Sequence, residues 1–111
     1  MSMKLLAAAT ATGAGTAVSL RTGAQEHAVQ ANITGAPAAV TVALEASLDD
    51  GVTWVALVTH VFTAGELTAT TSLFFVTGSP VMKVRANLVT LTAGAAPTVT
   101  VYYFPFEHRG G

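Results

Sequence analysis

Cysteine is missing altogether from this chain of 111 residues. Its absence excludes disulfide frameworks, thiolate metal sites and cysteine nucleophiles. It leaves the redox compartment open, because a cysteine-free chain persists in any. Charge is nearly as scarce: Asp, Glu, Lys and Arg make up 10% of residues, against about 25% in an ordinary soluble domain. With a formal net charge of -1 the chain has no basic footprint, so neither nucleic acid nor a membrane surface is expected as a partner. No run approaches the roughly 18 apolar residues of a membrane-spanning helix, and no internal repeat suggests a solenoid or propeller. A surface built of Thr, Ser, Ala and Gly is poorly protected against association. Much of it is therefore expected to be covered by partners.

What is present is alternation. The stretch Val40–Leu57, VTVALEASLDDGVTWVAL, places Val40, Val42, Leu44 and Ala46 on one face and Thr41, Ala43, Glu45 and Ser47 on the other, the period of a half-buried strand. Ser47-Leu48-Asp49-Asp50-Gly51 then supplies acceptor side chains and a glycine for a reversal, and Trp54 opens the return strand of a β-hairpin. Further strands are read at 17–20, 27–34 (Val29, Ala31 and Ile33 inward), 67–75, 81–88 (Met82, Val84, Ala86 and Leu88 inward) and 98–104 (Val99, Val101 and Tyr103 opposing Thr100, Tyr102 and Phe104). Gly35-Ala36-Pro37, Thr77-Gly78-Ser79-Pro80 and Ala95-Ala96-Pro97 interrupt them, since proline cannot donate to a ladder.

No convincing helix emerges. Seven to eight short strands at spacings of about 8–14 residues predict an all-β fold, an antiparallel β-sandwich or small barrel. A chain of this size buries roughly 65% of its unfolded surface, enough for a core without staples.

The predicted organisation is an extended N-terminal arm or edge strand over 1–15, a β-sandwich domain over 16–104 and a tail over 105–111. Residues 4–12 lack helical period and end in Gly13-Ala14-Gly15, so the arm is free to reach a neighbouring subunit. The run Leu5-Leu6-Ala7-Ala8-Ala9 behind Lys4 imitates a signal peptide but is short for one, and export is not expected.

Catalytic and metal-binding patterns are hard to find. His27, His60 and His108 share no ligand spacing and are expected to be exposed. Asp49 and Asp50 are too few for a calcium cage and suit an Asx-type turn. Ser19, Ser47, Ser72 and Ser79 lie in no nucleophile elbow, and Gly13-x-Gly15 lacks the rest of a dinucleotide fingerprint. No enzyme activity and no cofactor are therefore expected. Trp54 is expected in the core, the alternative being a platform for a sugar ring or an interface hot spot. In Phe74-Phe75 and Tyr102-Tyr103-Phe104, neighbours point to opposite faces, so at least one ring of each run faces outward.

Together the Gly13-Ala14-Gly15-Thr16 segment, the Ile33-Thr34-Gly35 break, the Ser47…Asp50-Gly51-Val52-Thr53-Trp54 hairpin, Val84-Arg85-Ala86-Asn87 and the closing Thr98-Val99-Thr100-Val101-Tyr102 strand resemble a family of small tailed-phage virion proteins, over about 13–103. The resemblance implies a capsid decoration (cement) protein, made in the host cytoplasm and seated on the capsid surface of the virion. It also implies a homo-oligomer, commonly a trimer, with the major capsid protein or another virion protein as partner and no catalytic residues. Tail, baseplate or fibre components of the same virion are the nearest alternative. Carbohydrate-binding sandwiches of the discoidin type carry a similar hairpin, and there Trp54 would hold the glycan. On these expectations Leu5, Leu6, Trp54, Phe74, Tyr102 and Phe104 are the candidate partner-binding residues.

Overall fold

A computed structural model describes residues 3–19, 26–76, 83–92 and 94–106. Their strands are β1 (Met3–Ala9), β2 (Gly13–Ala14), β3 (Val18–Ser19), β4 (Glu26–Thr34), β5 (Ala39–Ser47), β6 (Val55–Val61), β7 (Thr71–Val76), β8 (Lys83–Thr92) and β9 (Thr98–Phe106), with one helix, α1 (Ala64–Ala69), between β6 and β7. Two antiparallel sheets form, in the orders β1-β9-β4-β7 and β2-β8-β5-β6, and β3 also pairs with β8. The all-β sandwich expected from alternation is therefore the observed architecture.

The core lies between the sheets. β4, β7 and β9 contribute Val29, Ala31, Ile33, Phe74, Val99, Val101 and Tyr103, facing Val40, Val42, Leu44, Ala46, Val84, Ala86 and Leu88 from β5 and β8. These are the inward positions that the period of two predicts. Met82 lies outside the described residues.

Three boundaries are corrected. The first concerns the arm: residues 3–9 are an integral edge strand of the first sheet, paired with β9 in the register Met3↔Tyr103, Lys4↔Tyr102, Leu6↔Val101 and Ala9↔Val99. A register shift between Lys4 and Leu6 sets two consecutive residues against one partner, so both leucines turn inward. Leu5 is 1% and Leu6 7% exposed.

The second correction is the helix, which replaces the first half of the strand expected at 67–75. Thr63 caps it by accepting from the Glu66 backbone N–H, while the Glu66 side chain accepts from the Thr63 N–H. This reciprocal box satisfies two backbone donors that would otherwise have no partner. Thr70, at φ 62°, ends it in a left-handed conformation.

The third is the tail, whose first residues belong to β9, with Glu26↔Phe106 and His27↔Pro105. Among the described residues β1 pairs no further along β9 than Tyr103, and Pro105, which has no N–H to give a ladder, lies beyond that point. His108 and the rest of the tail lie outside the described residues.

Candidate functional site

The β5–β6 hairpin is locked by its own side chains. The Ser47 hydroxyl donates to Asp49 Oδ1 at 2.7 Å and accepts from the Gly51 N–H at 2.8 Å. Asp49 Oδ1 also accepts from the Thr53 N–H at 2.8 Å. The Thr53 N–H, with the Ser47 hydroxyl behind it, holds the Asp49 carboxyl down at about 2. Gly51, at φ 88°, takes the left-handed turn position, and its carbonyl accepts from the Trp54 indole N–H at 3.1 Å.

Trp54 is not in the core. It is half-buried, with the Arg85 guanidinium stacked 4.4 Å from its ring centroid. Arg85 in turn donates to Glu45 Oε1 at 2.7 Å, and Asn87 donates to Glu45 Oε2 at 3.1 Å. The indole thus has one face under a cation and its N–H satisfied within the turn.

Around this lock the hairpin presents apolar side chains to solvent. Leu48 is 79% and Val52 82% exposed, and Val55 is exposed beside them. A hollow of about 480 Å³ is lined by Leu48, Thr53, Val55 and Leu57 among others.

The outer face of the first sheet is built differently. Pairing sets Lys4, Tyr102, Gln30 and Leu73 in one row across β1, β9, β4 and β7, with Phe104, Ala28 and Phe75 in the next row and Thr100, Asn32 and Thr71 in the row beyond. Leu73, Phe75 and Phe104 are exposed, and Tyr102 is half-buried with Lys4 Nζ 5.7 Å from its ring centroid. A groove of about 430 Å³ runs along this face.

Two histidines are embedded rather than exposed. His27 is fully buried, stacked on Tyr103 with Nδ1 2.5 Å from its hydroxyl. Burial pushes the Tyr103 hydroxyl well above the ordinary phenol range. His60 lies flat on Phe74 at 4.6 Å between ring centroids. Its Nε2 is 2.9 Å from Glu66 Oε2 and 2.8 Å from Ser72 Oγ, and Ser72 Oγ also donates to Glu66.

This serine–histidine–carboxylate group was not read from the sequence, and its geometry is not that of a hydrolase. Both partners meet the same ring nitrogen, whereas activating a serine requires the carboxylate on one nitrogen and the hydroxyl on the other. The group instead ties α1 to β6 and β7. Its Ser72 hydroxyl bond, with the Thr63 N–H and His60, holds the Glu66 carboxyl at about 2. Among the described residues no three His, Asp or Glu side chains converge as metal ligands.

Of the six candidate partner-binding residues, Leu5, Leu6 and Phe74 are spent on this chain's own core, so their expected role in binding a partner is corrected. Tyr102 and Phe104 share the outer face of the first sheet, and Trp54 stands apart on the hairpin. Sequence reasoning missed Gln30, Asn32, Leu73 and Phe75 as members of one face. Their outward phase was readable, but their adjacency was not.

No protein-family model matches the chain, and no curated protein does. Among solved structures it is similar to the crystal structure of the SPBc2 prophage-derived protein YomS, at 17% sequence identity and a TM-score of 0.59, over 93% of this chain and 88% of that one. At that identity the likeness is one of fold.

Proposed function

We propose that the chain is a non-enzymatic structural protein of a tailed-phage virion, a decoration protein that seats as a homotrimer on the outer capsid surface and reinforces the shell. The observation that carries this reading is the apolar hairpin corner, where Leu48 and Val52 stand almost fully in solvent on a turn rigidly locked beneath them. Exposed apolar groups on a pre-ordered turn favour a protein interface, because little entropy remains to be lost on docking. The fold likeness to a prophage-derived protein supports a phage setting.

Burial there contributes about 25 cal/mol per Å² with little Coulombic share. The test is co-sedimentation with purified capsids and, separately, purified tails of the parent phage. Capsid binding retained in about 1 M NaCl, where the screening length is about 3 Å, and lost in Leu48→Asp/Val52→Asp is the expected result. Binding to tails alone would replace the decoration role with a tail or baseplate role.

A further inference from the structure

The groove on the outer face of the first sheet lies apart from the hairpin corner and has a different chemistry. We infer that it is a binding site for a neutral oligosaccharide, with Tyr102 as the ring platform and the amides of Gln30 and Asn32 as the hydroxyl-reading pair.

The amides carry the argument. Asn32 Oδ1 accepts from Gln30 Nε2 at 3.1 Å and from the Thr71 hydroxyl at 2.8 Å. The Thr71 hydroxyl can give or take a hydrogen bond and the Gln30 amide turns with its partner, so the same contacts hold with both amides reversed. In either arrangement one amide keeps N–H groups and the other a carbonyl oxygen with no partner among the described residues, side by side on β4. A donor next to an acceptor at fixed spacing is what two vicinal hydroxyls require, since each hydroxyl both gives and takes a hydrogen bond.

Tyr102 is directly opposite Gln30 on β9. Its ring offers an apolar surface to the C–H face of a pyranose, and its hydroxyl makes no hydrogen bond among the described residues.

Dimensions and charge agree. From the Phe104 row to the Thr100 row is four residues, about 14 Å of strand, and from Tyr102 to Leu73 is two strand spacings, about 9.6 Å. That accommodates a few linked sugar rings lying along the strands. Ala28, between Phe104 and Phe75 in register, keeps the floor low at one end. None of the described residues lining the groove is charged, and Lys4 Nζ stands at the rim, 5.7 Å from the Tyr102 ring centroid. A neutral, hydroxyl-rich ligand matches a lining whose polar groups are two amides and a phenol.

The experiment is titration of the ¹⁵N-labelled full chain, followed by NMR, with hexaoses of β-1,4-glucose, α-1,4-glucose, N-acetylglucosamine and galactose. At least one is expected to bind with Kd of about 1 mM or tighter, shifting resonances in β4, β7 and β9. Tyr102→Ala and Gln30→Ala are each expected to weaken it by about tenfold or more, while Tyr102→Phe, which keeps the ring, weakens it less. Unchanged melting temperatures confirm that these outward substitutions leave the fold intact. Absence of binding by all four sugars overturns the inference, as do shifts centred on Trp54. Shifts on this face that follow protein concentration instead of sugar would assign it to a second copy of the chain and overturn it too. Loss of capsid binding in the hairpin variants would leave the sugar titration unchanged, so the two readings fail separately.

Discussion

Glu66 is held by a hydroxyl, a backbone N–H and an imidazole at once, and a carboxylate so held keeps its charge into acid. Its folded value of about 2 lies below its ordinary 4.5. The stability it contributes is therefore complete above about pH 4.5 and is lost as pH falls toward 2. Asp49 acts in the same direction from the hairpin, between 3.8 and about 2. Glu66→Gln is expected to lower the melting temperature at pH 7 and to flatten its decline between pH 4.5 and 2, leaving the portion due to Asp49. Equal slopes for the two proteins, measured by circular dichroism, would refute this assignment. The tie matters because α1 has no fully buried residue, so Glu66, His60 and Ser72 join the half-buried Leu67 in keeping it against the sandwich.

Among the elements, β1 shows how far a strand can be from its sequence signature. Leu5→Ala is expected to destabilise the chain by about 2–5 kcal/mol, the cost of emptying a filled core site, read from urea unfolding. A cost below about 0.5 kcal/mol, normal for a surface change, would restore the free-arm reading. The central strands were legible because one buried face imposes a period of two, as at Val40–Ala46 and Val99–Tyr103. For β1 an edge strand was one of two readings, and the inward turn of both Leu5 and Leu6 was not legible, because the bulge erases the period. α1 was spelled out by Thr63 and Glu66 as a capping box, but the β-branched run Thr68, Thr70 and Thr71 favoured a strand. The groove was the least legible feature: Gln30, Leu73 and Tyr102 share a row only through pairings between residues 43 and 72 apart, which no local pattern encodes.

At the scale of the whole molecule, a chain with so few charges has little with which to repel its copies or to bind them electrostatically. If association is apolar, as proposed, the solution mass from light scattering should be that of a trimer and should not change between about 0.05 and 1 M salt. A monomer throughout, or dissociation at moderate salt, would count against it.

The pairing of β1 with β9 has one more consequence. During synthesis the ribosome releases β1 long before its partner β9, so Leu5 and Leu6 wait for some ninety residues to follow. A nascent chain stopped before Thr98 has no strand on which to lay them, and β4 has lost the same neighbour. Such a product carries two unsealed sheet edges and half a greasy interior, the condition that chaperones hold and proteases clear. The closing strand thereby acts as a proofreading step for translation: only a chain read through to its ninth strand conceals its first.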